Sequence, residues 1–336
     1  MEKKLKTVVF GVGPIGALIS EIALEKEFID IVGAIDIAPE KTGKDIGEVT
    51  KPRKKIGVQI SDDAETVLSE TKPEIVLHAT GTYLDQVYPQ LVKCMKKGAN
   101  VISTCETLAY PWYRYPDLAT KLDEMAREKK VSILGTGVSP GFRFDSLLAF
   151  LSTPCAKVTG IEAKLYLDAA KRRRSFQEKI GLGVSPKTFN DKLSEGKITA
   201  HTGYAESLLL TASMIGIELD EIEEKQEPII AEEPLETEFF EIKPGEVSGI
   251  RGIGRGIKNN KEFFTVELVA ATDIDGYEEI KIEGEPSIVW RNEPEIPGDI
   301  ATASVVVNMI PKVCKADSGL ITMKDIKLPS FTARNI

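Results

Sequence analysis

The chain has 336 residues, 42% of them hydrophobic and 28% charged, with 52 acidic against 43 basic side chains and a formal charge of −9. That length suits two domains, and the acid excess disfavours a nucleic-acid partner, whose phosphates call for a basic face. No apolar run reaches the roughly eighteen residues of a membrane span.

Met1-Glu-Lys-Lys-Leu-Lys6 runs directly into a strand pattern without a signal-peptide core, so a cytoplasmic setting is expected. Cys94, Cys105, Cys155 and Cys314 show no C-x-x-C spacing and there are two histidines, which suggests reduced thiols and neither a disulfide framework nor a metal site. The basic runs at residues 51–55 and 171–174 read as solvated surface.

The first element pattern is the most specific. An apolar run from Leu5 to Phe10 enters Gly11-Val-Gly13-Pro14-Ile15-Gly16; an apolar-periodic segment follows over 17–24, and a second apolar run ends on Asp36. Strand, glycine turn, helix, strand and distal acid form a dinucleotide-binding fingerprint. Gly11 turns the chain, Gly13 lets backbone N–H groups approach a pyrophosphate, and Gly16 lets the helix lie close to its strand. Pro14 and Ile15 complete the loop at the helix N-terminus, which faces the phosphates. Asp36 is placed to bond both hydroxyls of an adenosine ribose, favouring NAD, although Lys41 or Lys44 nearby partly offsets its repulsion of a 2′-phosphate, so use of NADP is compatible.

Further apolar runs end at His78, Ser103 and Leu134, alternating with helical patterns over 84–97 and 117–130. Alternation of this kind predicts an α/β fold, with an N-terminal Rossmann parallel sheet over residues 1–145. Ligands in such sheets sit beyond the strands' carboxyl ends. The segments Ala79-Thr80-Gly81, Thr104-Cys105-Glu106 and Gly135-Thr-Gly-Val-Ser-Pro-Gly-Phe142 are therefore candidate site segments.

From about Ala156 the pattern changes to long alternating stretches over 157–168, 236–242, 249–257, 263–271 and 278–284, read as antiparallel strands, with helices over 185–195 and 206–214. A second mixed α+β domain carrying an open sheet is expected over 146–300. A face of that sheet must be covered by helices or a second copy, which makes a homodimer the expected assembly. Gly252-Ile-Gly-Arg-Gly256 lies between strand-like runs with no helix after it and reads as a bend or bulge. Residues 301–336 are expected to form a helix over 301–315, introduced by Pro297-Gly-Asp299 with Asp299 as its capping acid, and a tail packing back on the first domain.

A nicotinamide cofactor moves hydride, so the remaining question is which carbon it faces. Alcohol oxidation usually needs a His, Lys or Tyr base or a zinc ion; the strand ending at Ser103 offers Glu106 instead. A carboxylate at the mouth of the uncharged segment Val101-Ile-Ser-Thr-Cys105 is expected to be partly desolvated and suited to amine chemistry, taking a proton from an ammonium, stabilising an iminium and helping water add; the other reading of Glu106 is the exposed start of the following loop.

The motifs His78-Ala-Thr-Gly81, Ser103-Thr-Cys-Glu106, Gly135-Thr-Gly-Val-Ser-Pro-Gly-Phe142 and Pro297-Gly-Asp-Ile-Ala-Thr-Ala303 through Asn308-Met-Ile-Pro311 resemble the dihydrodipicolinate-reductase-like family. More narrowly, they resemble 2,4-diaminopentanoate dehydrogenases and native amine dehydrogenases. The resemblance covers nearly the whole chain. It implies a Rossmann domain, a second domain whose sheet serves dimerisation, and reversible NAD(P)-dependent oxidative deamination of an amine or diamino acid, with Glu106 as the catalytic glutamate. It also implies cofactor contacts by Ala79, Thr80, Gly81 and Cys105, and a substrate pocket drawn from Phe142, Phe144, Tyr166, Phe176, Gln177 and His201. Ala200-His-Thr-Gly203 departs from the family's Gly-His-Val-Gly at Ala200 and Thr202. Arg143 or Arg174 is a candidate for a substrate carboxylate. The competing readings are a dihydrodipicolinate-reductase-type imine reductase, which expects a histidine-lysine pair that this chain does not clearly show, and a non-catalytic NAD-sensing protein.

Overall fold

The computed structural model describes residues 4–51 and 54–333; residues 1–3, 334–336 and, within the basic run, Pro52 and Arg53 lie outside the described residues. The chain divides into two compact units, Met1–Ser146 with Pro297–Ile336, and Leu147–Ile296.

The first unit opens with β1 (Leu5–Phe10), α1 (Pro14–Leu24), β2 (Ile29–Ile35), α2 (Ile46–Val49), β3 (Ile60–Ser61) and α3 (Ala64–Thr71). It continues with β4 (Ile75–His78), α4 (Leu84–Lys96), β5 (Asn100–Ser103), a 3-10 turn (Glu106–Leu108), α5 (Pro116–Lys129) and β6 (Ser132–Gly135). Every residue of β4 and β6 is buried, as in strands covered on both faces, which is why these runs read as continuously apolar and not alternating.

The second unit is reached through α6 (Ser146–Ser152). Its elements are β7 (Lys157–Asp168), α7 (Arg174–Lys179), α8 (Pro186–Ser194), α9 (Tyr204–Ile215), β8 (Glu221–Ile230), β9 (Leu235–Glu236), β10 (Glu241–Ile242), β11 (Val247–Lys258), β12 (Lys261–Ala271), β13 (Tyr277–Glu285) and β14 (Ile288–Asn292). The chain then returns to the first unit with α10 (Gly298–Val313) and β15 (Gly319–Ile321).

The first sheet is parallel, in the order β15-β6-β5-β4-β1-β2-β3. Strand order reverses between β1 and β4, and the crevice at such a reversal is where open α/β sheets bind ligands. β15, not anticipated from the sequence, extends the sheet beside β6, while α10 packs against α1. Asp299 is not the cap of α10: Pro297 holds that position and Asp299 lies in the first turn, where an acid still complements the helix dipole.

The second sheet runs β14-β13-β7-β12-β11-β8. It is mixed: β7 pairs parallel to β12 and antiparallel to β13, which corrects the all-antiparallel expectation. Residues 236–242 are not one strand but the arms of the small β9–β10 hairpin, turned at Thr237, whose hydroxyl accepts the N–H groups of Phe239 and Phe240. α9 covers one face. A Cβ at Gly252 would collide with the Tyr204 phenol, and one at Gly254 would lie 2.7 Å from Tyr204 Cβ, so these glycines let α9 approach the strand. The register shift in that segment falls at Gly256/Ile257. The other face presents Glu162, Lys164, Tyr166 and Asp168 of β7, which alternate with the buried Ile161, Ala163, Leu165 and Leu167.

Candidate active site

At the end of β1, Gly11 has φ +93°, in the left-handed region that favours glycine, and a Cβ there would run into the Ala79 carbonyl beyond β4. A Cβ at Gly16 would strike the Gly11 carbonyl. Gly13 differs, because a Cβ there would meet nothing within 4 Å. In α1 the Ala17 N–H bonds Gly13 O at 2.8 Å, so the Ile15 and Gly16 N–H groups ahead of it have no intrahelical acceptor; Pro14, at the first helical position, carries no N–H. Open space at Gly13 backed by a helix N-terminus is what a pyrophosphate requires.

Asp36 follows β2. Its Oδ2 accepts the Val12 N–H at 2.8 Å and lies 3.2 Å from Lys41 Nζ, while Oδ1 accepts the Ala38 N–H at 2.9 Å. Burial opposes ionisation, but the backbone donors of Ala38 and Val12, with Lys41, outweigh it and hold the carboxyl below its ordinary value. Each carboxylate oxygen has two acceptor sites, so Oδ1 keeps one for a ribose hydroxyl. The glycine turn and Asp36 thus fit a pyridine nucleotide. Of the two lysines, Lys41 makes the ion pair and Lys44 is exposed.

At the end of β4, Ala79 N–H bonds Phe10 O at 2.7 Å, and the Thr80 hydroxyl donates to Gln90 Oε1 at 2.6 Å. Gly81 is half-buried beside Val87. Beyond β5, the Thr104 N–H bonds His78 O at 2.9 Å. Glu106 is half-buried and opens the 3-10 turn. That turn is fixed by Thr107, whose N–H and hydroxyl each reach Thr82 O at 3.2 Å and whose oxygen accepts the Leu84 N–H at 2.8 Å. Gly135, ending β6, lets the turn lie against it: a Cβ there would sit 2.6 Å from Leu108 O.

Cys105 is 1% exposed and its thiol donates to Thr82 O at 3.2 Å, so its side chain ties two loops together and does not face a ligand. Burial, then the charge of Glu106, pushes that thiol up to about 12, which keeps it protonated. Phe142 is half-buried; Phe144, at 1% exposed, belongs to the packed interior, contrary to the pocket-wall expectation. Arg143 is buried, whereas Arg174 is exposed and paired with Glu178 at 2.9 Å.

In the second unit, the His201 ring lies edge-on to Tyr204 with ring centroids 4.7 Å apart, and the His201 backbone N–H bonds Gln226 Oε1 at 2.8 Å. Tyr204 is on the α9-covered face of the sheet. Tyr166 is on the opposite face, stacked on Tyr277 at 4.8 Å, with its hydroxyl 3.4 Å from Glu267 Oε2. Period-two alternation separates the two: Gly252 of β11 points to Tyr204, whereas its neighbour Arg251 pairs with Glu267 at 2.6 Å. The structure therefore does not bring Tyr166 and His201 to one wall. Phe176 carries the Arg172 guanidinium at 4.7 Å from its ring centre. Gln177 is wholly buried: its amide N–H groups bond Ala170 O and Arg172 O, and its carbonyl accepts the Thr237 hydroxyl. With both ends engaged, it is a structural clamp and not a pocket wall.

Sequence reading gave no role to His78, Ser103 or Gln90, which meet around one buried imidazole. The available signal was a polar residue closing each of two apolar runs, Ile75-Val-Leu-His78 and, after Asn100, Val101-Ile-Ser103.

Comparison with known proteins agrees with this architecture. The profile of the 2,4-diaminopentanoate dehydrogenase C-terminal domain matches residues 142–336, and that of the dihydrodipicolinate reductase N-terminus matches residues 5–106. The chain is similar to the 2,4-diaminopentanoate dehydrogenase of Acetoanaerobium sticklandii, at 29% identity over 97% of this chain and 94% of that protein. It is also similar to the amine dehydrogenase of Streptomyces virginiae, at 25% identity over 96% of each. The solved amine dehydrogenase of Mycobacterium smegmatis superposes with a TM-score of 0.89 at 26% identity, over 99% of both chains. With more than half of its residues in that profile, the chain belongs to the 2,4-diaminopentanoate dehydrogenase family.

Proposed function

We propose that this NAD(P)-dependent amine dehydrogenase oxidises a small diamino acid or alkyl amine at the carbon bearing the nitrogen, with Glu106 as the general base. The observation that carries the reading is the position of a half-buried glutamate just beyond β5, in the same row of strand ends as the glycine turn of β1 and Ala79 beyond β4. The diamino-acid class is carried over from the name of the Acetoanaerobium relative.

Pyridine nucleotide, when bound, supplies the hydride acceptor. Ile15 and Gly16 present N–H groups toward a pyrophosphate, Gly13 leaves the room for it, and Asp36 accepts a ribose hydroxyl. Glu106 takes a proton from the substrate ammonium, since only the neutral amine can release hydride from its α-carbon. Once that proton has passed to solvent, the carboxylate faces the cationic iminium, stabilises it, and assists the addition of water. The sum balances: ammonium, NAD⁺ and water give ketone, NADH, NH₄⁺ and H⁺.

Asp36 supports a preference for NAD, and its ion pair with Lys41 supports residual use of NADP. The half-exposed face of the second sheet that presents Glu162, Lys164 and Tyr166 supports a homodimer, testable by sedimentation, and four free cysteines support a reducing, cytoplasmic setting. No helix among the described residues is long and apolar enough to cross a membrane.

The test is NADH formation at alkaline pH over a panel of diamino acids and alkyl amines, with ammonia measured as co-product. Equimolar NADH and ammonia are expected. Nucleotide binding with no turnover on any member would overturn the reading.

A further inference from the structure

We infer that His78 and Ser103 are positioning residues for Glu106, an inference that rests on the catalytic reading of that carboxylate. The two side chains stand in register at the ends of β4 and β5, and the His78 ring is wholly buried. His78 Nε2 lies 2.7 Å from Gln90 Oε1, an acceptor, and 2.9 Å from Thr80 Oγ1, whose own hydrogen goes to Gln90 Oε1, so the hydrogen-bond network assigns the ring proton to Nε2 and leaves Nδ1 as an acceptor. Ser103 Oγ, 2.8 Å from Nδ1, must then donate. The Ser103 oxygen in turn accepts the Cys105 N–H at 3.1 Å.

The bonds run in one direction: Cys105 N–H to Ser103, Ser103 O–H to His78, and His78 N–H to Gln90 and Thr80. Glu106 is the next residue after Cys105, so this chain fixes the backbone from which the carboxylate departs. The Thr80 hydroxyl shares the Gln90 acceptor, which ties the segment facing the glycine turn to the same anchor. Burial holds the imidazole near a pKa of 4, so it stays neutral and the direction of donation is preserved across the neutral and alkaline range. A ring with no exposed surface cannot itself meet substrate; its effect on the reaction passes through Ser103 and Cys105.

The test is a double-mutant cycle. Ser103→Ala removes both the donor to His78 and the acceptor for Cys105, and is expected to lower kcat by about tenfold or more, a misplacement effect, with the Kd for NAD within about twofold of wild type. Ser103→Thr keeps the hydroxyl and is expected to restore most of the rate. In a Glu106→Gln background, Ser103→Ala should cost less than about a further twofold, because the group it positions no longer works as a base. Full multiplicative loss in that background, or failure of the threonine variant to rescue, overturns the inference. Near-wild-type turnover by Glu106→Gln alone overturns the catalytic reading instead. If Ser103→Ala does not fold, Gln90→Met, which removes the outer acceptor and leaves Ser103 in place, is carried through the same cycle and judged by the same criterion.

Discussion

The Val12 backbone N–H donates to Asp36 Oδ2 at 2.8 Å across 24 residues of sequence. The acid that closes the dinucleotide fingerprint therefore also braces the glycine turn that opens it, and two functions rest on one carboxylate. Asp36→Ser is expected to shift preference toward NADP by on the order of tenfold, about 1.4 kcal/mol, measured as the ratio of kcat/KM for the two cofactors. Lys41→Ala should move the ratio the other way. An unchanged ratio in both variants would remove this pair from cofactor choice.

Gly13 and Gly16 separate binding from folding. Gly13→Val adds a Cβ that meets nothing within 4 Å, so the fold should survive while NAD binding is lost. Gly16→Val drives its Cβ into the Gly11 carbonyl and is expected to destabilise the protein by about 1–3 kcal/mol or more. Calorimetric NAD titration and thermal melting of both variants decide this; normal NAD affinity in Gly13→Val would place the phosphates elsewhere.

Glu106→Gln keeps the shape at the mouth of β5 but removes the charge and the base. Loss of general-base help costs roughly two to four orders of magnitude, so ammonia release should fall at least about a hundredfold while NAD affinity and melting temperature hold.

His78 gives the protein a pH-dependent stability. Its folded pKa, lowered by burial to about 4, lies below the ordinary 6.5, so between those values the unfolded chain binds a proton that the folded chain refuses. The stability is complete above about 6.5 and falls as pH drops toward about 4, by about 3 kcal/mol for a shift of that size. Urea unfolding of wild type and His78→Gln at pH 7.5 and pH 5 should show a smaller loss in the variant. Equal losses would assign the acid sensitivity to other groups.

The sequence alone carried the β1-turn-α1-β2 unit and Asp36, because spacing, glycines and apolar runs there report on neighbours a few residues away. It also carried the parallel first sheet, since strands buried on both faces leave continuous apolar runs. Edge strands escaped: β8 reads Glu-Ile-Glu-Glu-Lys-Gln-Glu-Pro-Ile-Ile, with no buried residue and bearing Pro228, and is recruited by backbone pairing with β11 and not by burial. Tertiary structure decided which side chains meet. A strand turns successive residues to opposite faces, so Tyr166 and His201 were separable only once register put Arg251 beside Glu267 and Gly252 beneath Tyr204. Gln177 reads as a polar candidate in any linear reading and becomes a clamp only when Thr237, sixty residues away, closes on its carbonyl. His78, Ser103 and Gln90 meet because parallel pairing of β4 with β5 sets two strand ends side by side and α4 returns over them. Periodicity records what a segment buries, whereas the partner of a buried polar group is chosen by register and by the path of the chain between.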